Sequence, residues 1–177
     1  MGTDAANLLY GPISNARALL AASATFQDLV GAEDADGALA SIYVPALLPP
    51  AEADPEGNWL SALRPLAILD QGDEREMSAQ AAGAYGDGGT VLVHLEADVP
   101  EAYAGETTAK HAAAAQWFYK AVGDIWSEIL ALGHEGGYLA VERIRLLSGP
   151  ARPELRDRQT EGDHYQVGFE VRWRGAT

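Results

Sequence analysis

One segment of the sequence places three potential metal ligands on a single strand face. In residues 90–98 apolar side chains occupy the odd positions, and His94, Glu96 and Asp98 alternate with them. Successive side chains of a strand point to opposite faces, so these three could offer an imidazole and two carboxylates to a divalent cation. A half-buried strand with a solvated polar face shows the same alternation. We favour the solvated face, since no second ligand cluster accompanies it, and we predict neither a metal nor another cofactor.

Other catalytic chemistry has little support in the sequence. Cysteine is absent, which excludes thiol catalysis, cysteine zinc sites and disulfides. None of the seven serines stands in a Gly-x-Ser-x-Gly frame, and the glycine-rich residues 83–89 lack the Gly-Lys-Ser/Thr of a phosphate-binding loop. Acidic pairs at helical spacing, such as Asp124 and Glu128, are usually solvated. We therefore predict that the protein is not an enzyme.

The charge is unevenly distributed along the chain. Its 177 residues carry a formal net charge of −14, which disfavours nucleic acid binding over most of the surface. Residues 143–177 nevertheless hold seven of the twelve Lys and Arg residues and only five of the twenty-six acidic residues. These seven are Arg143, Arg145, Arg152, Arg156, Arg158, Arg172 and Arg174. They are either scattered surface charges or a patch that pairs with the acidic side of an identical neighbouring subunit in a head-to-tail ring.

Hydrophobic periodicity predicts the elements that position these residues. It predicts helices over residues 14–30 and 107–132, which Gly31 and Gly133 end, and strands over 39–44, 63–69, 90–98, 138–147 and 164–173. The order predicts a single α+β domain over residues 1–177, with one mixed, mostly antiparallel sheet of about five strands and two main helices on one face. Neither a membrane-spanning apolar run nor a signal peptide is evident, so we expect a cytoplasmic protein.

Three long loops and several aromatic residues suggest contacts with partners. The loops cover residues 45–62, 71–89 and 148–163, and loops of this length are often functional. Trp59 is the large aromatic of the first loop, whereas Trp117 and Trp126 lie off the apolar stripe of the long helix, which predicts a second buried surface. The candidate interface residues are Trp59, Trp117, Trp126, Arg143, Arg145, Arg172 and Arg174.

Several segments together carry a family resemblance over residues 12–174. They are the opening helix ISNARALLAASATFQDLVG, the strand GGTVLVHLEADV, the long helix WFYKAVGDIWSEILAL, and the closing strands YLAVERIRLLSGP and HYQVGFEVRWRG. In layout the chain resembles the tail terminator, or tail completion, proteins of long-tailed bacteriophages. None of these segments is a catalytic fingerprint, and the loop at 45–62 is longer than a minimal member of that family requires.

The resemblance implies a virion protein at the junction of tail and neck, assembled in the host cytoplasm. It implies a homo-hexameric ring that caps the tail tube protein, ends tube growth and docks to the head–tail connector or stopper protein. Genomic DNA would slide through an acidic lumen that repels its phosphates. In such a ring, Trp126→Ala and Arg172→Glu should weaken self-assembly more than folding.

Two alternatives to this interpretation stay open. One is another structural protein of the phage neck or tail, such as a head–tail joining protein. The other is a small acidic enzyme or ligand-binding domain, which predicts a monomer or dimer with a concave pocket.

Overall fold

The computed structural model describes residues 11–44, 63–79, 85–134, 139–151 and 164–175. The helices are α1 (Gly11–Ala22), α2 (Ala24–Val30), α3 (Ala35–Ala38) and α4 (Thr108–His134), with 3₁₀ turns at Leu39–Ser41 and Glu101–Tyr103. The strands are β1 (Ile42–Tyr43), β2 (Leu66–Ala79), β3 (Tyr85–Asp98), β4 (Leu139–Ala151) and β5 (His164–Gly175). They form one sheet in the order β1-β2-β3-β5-β4, in which only β1 and β2 run parallel among the described strands. The predicted α+β class and mixed, mostly antiparallel sheet are confirmed.

The helices cover the apolar face of this sheet. Register places Val93 of β3 beside Phe169 of β5, and both belong to one core cluster with Phe26 of α2 and Phe118 of α4. The ring of Phe118 stacks on Tyr165 of β5 at a centroid distance of 5.4 Å. Fully burying a side chain of this size contributes roughly 1.5–3 kcal/mol, so the alternating apolar positions of β3 and β5 supply much of the driving force.

The long helix α4 follows its predicted apolar stripe. It begins where Thr107 Oγ1 accepts the backbone N–H of Lys110 at 3.3 Å. Its buried side chains recur at helical spacing and face the sheet. The helix continues through Gly133 to His134, so the prediction that Gly133 ends it was wrong. A Cβ at Gly133 would lie 2.7 Å from Cγ2 of Val141, so this glycine permits close packing of α4 on β4.

The opening segment is two helices, and the single helix predicted over 14–30 was wrong. The chain breaks at Ser23, whose backbone is extended (φ −66°, ψ 119°). The Ser23 side chain caps α2 by accepting the N–H of Phe26 at 3.1 Å. At the other end, Gly31 adopts a left-handed conformation (φ 68°) and ends α2 as predicted.

The strand predicted over 39–44 was only partly right, because its first three residues form a 3₁₀ turn. Asp34 Oδ1 accepts the N–H of Gly37 at 2.8 Å and starts α3, which passes directly into the 3₁₀ turn. Only Ile42–Tyr43 joins the sheet as β1. A local cap therefore overrides the β-branched composition of this segment.

Most of the loop predicted over 71–89 is β-structure. Strands β2 and β3 pair from Leu66 opposite Glu96 to Ala79 opposite Tyr85, with a register shift between Gln71 and Arg75. The prediction failed because a ladder requires only backbone donors and acceptors, which polar and glycine residues also supply. The strand predicted over 63–69 accordingly continues to Ala79, and the strand predicted over 90–98 begins at Tyr85.

The closing strands β4 and β5 occur where predicted but extend further. The first four residues of the predicted 148–163 loop, up to Ala151, belong to β4. Residues 152–163 and the proline-rich 45–62 loop with Trp59 lie outside the described residues.

Candidate functional site

The face of the sheet opposite the described helices, which we call the helix-free face because none of those helices packs on it, holds a buried ion pair. Arg64, just before β2, directs its guanidinium group onto β3, where Nε lies 3.3 Å from Oε2 of Glu96 and Nη1 donates to Oδ1 of Asp98 at 2.9 Å. The side chain of Arg64 is 1% exposed and that of Glu96 is 9% exposed. His94 contacts the other oxygen of Glu96, with Nε2 and Oε1 separated by 2.7 Å. One carboxylate is thus held between an imidazole and a guanidinium group.

These contacts keep Glu96 ionised. Burial by itself raises the pKa of Glu96, but the hydrogen bond with His94 and the nearby charges of His94, His164 and Arg64 outweigh it, so the pKa is lowered from its ordinary value of 4.5. Buried carboxylates of this kind are stable only when paired and hydrogen-bonded.

The sequence candidates for a metal site, His94, Glu96 and Asp98, do lie on one strand face. The guanidinium group of Arg64 contacts both carboxylates, which places a fixed cation where a metal ion would sit. No group of three or more His, Asp or Glu side chains in the described part of the chain has a metal-binding arrangement. The structure thus assigns these residues an ion-pair network.

A second charged cluster lies where β4 pairs with β5. Glu170 of β5 is shared by two guanidinium groups, with Arg145 Nη2 at 3.1 Å from Oε2 and Arg143 Nη2 at 4.0 Å from Oε1. Arg172 Nε lies 3.4 Å from Oε2 of Glu142. Glu170 is buried, but the side chains of Arg143 and Arg145 are 52% and 55% exposed. The structure therefore brings together Arg143, Arg145 and Arg172, while the side chain of Arg174 lies outside the described part.

Strand β4 is an outer strand of the sheet. Among the described strands it pairs only with β5, so no described strand pairs with the other row of its backbone groups. Two adjacent leucines, Leu146 and Leu147, are 46% and 48% exposed. Sequence reasoning missed them, although two consecutive leucines in a strand signal that one of them faces away from the core. This strand combines exposed apolar side chains with neighbouring arginines.

The two tryptophans of α4 have different environments. Trp126 packs against Phe169, with ring centroids 5.5 Å apart, and its buried Nε1 has no hydrogen-bond partner among the described residues. Trp117 lies nearer the helix N-terminus, where it stacks on Tyr103 at 6.1 Å. Both are partly buried against the core cluster. Trp126 therefore packs on the same core as the apolar stripe and not on a second surface, whereas Trp117 does contact a separate segment, the 3₁₀ turn.

An open groove of about 460 Å³ separates α2 from α4. It is lined by Thr25, Asp28, Leu29, Pro100, Trp117, Lys120, Ala121 and Asp124. The lining mixes apolar side chains with the carboxylates of Asp28 and Asp124, and the ammonium group of Lys120 pairs with Asp124 one helical turn later. Sequence reasoning missed this groove because its lining comes from three separate segments; the off-stripe position of Trp117 was the only signal.

A carboxylate of α4 joins this helix to α2. Glu128 accepts hydrogen bonds from Ser23 Oγ at 2.6 Å and from the backbone N and Oγ1 of Thr25 at 3.1 and 2.7 Å. Burial and the charge of Asp124 raise the pKa of Glu128, but these bonds dominate and lower it from 4.5. Glu128 is therefore ionised at the positive end of α2, a role that the sequence spacing did not reveal.

No helix in the described part of the chain is both long and apolar enough to cross a membrane. Two surface features stand out among the described residues. One is the outer strand β4, which carries arginines and exposed leucines, and the other is the acidic groove between α2 and α4. Comparison with known proteins finds no matching family model and no matching curated protein.

Proposed function

We propose that the protein is a structural component of a phage virion that forms a ring on the end of the tail tube. In this role it ends tube polymerisation and joins the tail to the head–tail connector or stopper protein. The resemblance of its sequence layout to tail terminator proteins motivates the proposal, and the observed order of helices and strands is compatible with it.

One observation carries the proposal furthest, namely the character of β4. Its outer edge is open among the described strands, it exposes Leu146 and Leu147, and it presents two half-exposed arginines on a chain of net charge −14. A long outer strand with apolar side chains is a liability for a monomer unless another chain covers it. Self-association through β4 would bury these exposed side chains in a subunit contact.

The proposed activity is binding without turnover. A homo-hexamer would contact the tail tube protein on one side and the connector on the other, while DNA passes through the lumen without sequence-specific contacts. The acidic excess suits that passage, because carboxylates facing a channel repel phosphate.

The experiment is to measure the mass of the purified protein by light scattering and to image it by negative stain, alone and with its tail tube protein. We expect rings, or a monomer that becomes a cap on tube ends. A chain that stays monomeric and ignores tubes would contradict the proposal and favour a ligand-binding domain, with the groove beside Trp117 as the first place to search. Binding to a neck partner but not to tubes would favour a head–tail joining protein.

A further inference from the structure

The groove between α2 and α4 has the composition of a site for a cationic side chain. Trp117, Pro100 and Leu29 provide apolar contact area, and Asp28 and Asp124 border it. A guanidinium group stacks well on an indole ring and pairs with carboxylates in a fixed geometry. At about 460 Å³ the groove falls within the range of roughly 300–1,000 Å³ that protein ligand sites span, so it can take more than one side chain.

The surroundings of the groove are negatively charged. Asp124 shares its charge with Lys120, whereas Asp28 is exposed. Thr25, which lines the groove, is bonded to Glu128, and the lowered pKa of Glu128 keeps this third carboxylate ionised. Two carboxylates thus line the groove together with one ammonium group, and Glu128 adds a further negative charge behind Thr25, so the local potential favours a cation.

The complementary surface is on the same chain but in a different place. Residues 143–147 of β4 carry Arg143 and Arg145, which share the single carboxylate of Glu170, followed directly by the exposed Leu146 and Leu147. This segment belongs to the outer strand of the sheet, whereas the groove is formed by helices in the covering layer. The two surfaces differ, so a contact between them is heterologous and leads from one copy to the next.

We propose that the groove between α2 and α4 receives residues 143–147 of a neighbouring copy of this chain, with an arginine seated on Trp117 between Asp28 and Asp124. The inference rests on the proposed function and deepens it, because it names both halves of the subunit contact. A heterologous contact of this kind closes into a ring when its rotation fits a whole number of subunits.

The test reverses the charge on each half of the contact in the full-length protein. One variant carries Asp28→Arg and Asp124→Arg, a second carries Arg143→Glu, which leaves Arg145 in place against the buried Glu170, and a third combines all three substitutions. We expect each of the first two to weaken self-association at least about tenfold, and the combined variant to recover it, because complementary charge returns with opposite sign. The readouts are sedimentation velocity and pelleting with tail tubes.

Controls separate charge and folding effects from loss of the contact. Asp36→Arg makes the same charge reversal at one exposed carboxylate of α3 and should leave assembly unchanged. Thermal melts by circular dichroism establish that each variant is folded before its mass is interpreted.

The outcomes distinguish this inference from the proposed function. Rings that persist in both charge-reversed variants, or that the combined variant fails to restore, overturn the groove contact while ring formation itself stands. A wild-type protein that neither self-associates nor caps tubes overturns both.

Discussion

The two faces of the sheet bury their side chains by different means. On the helix-covered face, Phe169 and Val93 are held by apolar contacts in the shared core. On the helix-free face Leu66 is fully buried as well, but the poorly exposed Glu96 and Glu170, at 7% and 6%, each lie against arginine side chains. Apolar contacts are non-directional, whereas a buried carboxylate depends on each of its partners. Stability on the helix-free face should therefore respond to pH and to the loss of single charges.

The largest loss should come from the apolar face. Phe169→Ala removes a fully buried ring that contacts Trp126, and we expect a decrease of about 3–5 kcal/mol in the free energy of unfolding. Its cross-strand partner Leu146 provides a matched control, because it is 46% exposed. Leu146→Ala should cost less than about 1 kcal/mol in urea unfolding followed by circular dichroism. Equal losses for the two variants would contradict the assignment of the core.

The next loss should come from the buried ion pair. Glu96→Gln keeps the shape of the side chain but removes the charge of the buried one of the two carboxylates that contact Arg64, and we expect a decrease of about 2 kcal/mol in the free energy of unfolding. Asp98→Asn is the control, since the Asp98 side chain is 53% exposed, and it should cost no more than about 1 kcal/mol. Similar values for both variants would mean that burial adds nothing to the Arg64–Glu96 contact.

The same pair predicts a pH dependence with a definite sign. The pKa of Glu96 is lower in the folded protein than its ordinary value of 4.5, so the folded state favours the ionised form. The stabilisation is fully present above pH 4.5 and is lost as the pH falls through the lowered folded pKa. Urea unfolding between about pH 6 and 3 measures this loss, and Glu96→Gln should make the free energy of unfolding depend less on pH.

A second carboxylate contributes to this curve and must be separated from the first. The pKa of Glu128 is also lowered, so Glu128→Gln should remove its own share of the acid loss. The two effects should add in the double variant, because the residues lie on opposite sides of the sheet and share no hydrogen-bond partner among the described contacts. If the loss of unfolding free energy at acid pH were unchanged in all three variants, both assignments would be contradicted.

A smaller loss should follow removal of the α2 cap. Ser23→Ala deletes the acceptor for the Phe26 N–H and a donor to Glu128, and we expect a cost of about 1–2 kcal/mol. Ser127 is the control because it is exposed and its hydroxyl donates to Gly123 O within α4. Ser127→Ala should change the unfolding free energy by less than about 0.5 kcal/mol. A cost at Ser127 that matches the cost at Ser23 would show that the cap adds nothing.

Much of the framework could be predicted wherever burial follows a local period. The stripe of α4 and the alternation of β3 and β5 repeat at the spacing of their elements, so the α+β class, the long helix and these strands were predictable. The break at Ser23 was not, because its cause includes Glu128, which lies 105 positions further along the chain. The alternation of β3 predicted which face of the sheet holds Glu96. It did not predict that the side chain of Arg64 packs against Glu96 and buries its carboxylate.

The candidate surfaces were only partly predictable for the same reason. Concentrated arginines pointed to the C-terminal strands, and the structure brings Arg143 and Arg145 together on β4. The groove beside Trp117 requires α2, α4 and the turn after β3 to meet, which no local pattern encodes. Trp126 was proposed as an interface anchor from its helical position alone. Its contact with Phe169 means that Trp126→Ala will cost stability as well as any subunit contact.

We expect the smallest change in stability at the two exposed leucines. Their substitution is also the most direct test of whether a neighbouring subunit contacts the helix-free face. Leu146 pairs with Phe169 across the strands, whereas Leu147 is the unpaired residue at the register shift before Ser148. Leu146→Ser and Leu147→Ser should each change the unfolding free energy by no more than about 1 kcal/mol, because half-exposed side chains lose little on truncation.

Their effects on self-association should differ. The extra residue of a bulge turns with its neighbour, so Leu147 accompanies Ser148 toward the face that carries Arg145 and Glu170. A neighbour that binds through these arginines covers Leu147 first, and sedimentation should therefore give a weaker association for Leu147→Ser than for Leu146→Ser. The reverse order would place the neighbouring subunit on the helix-covered side of β4, and the arginines would then serve only to hold Glu170.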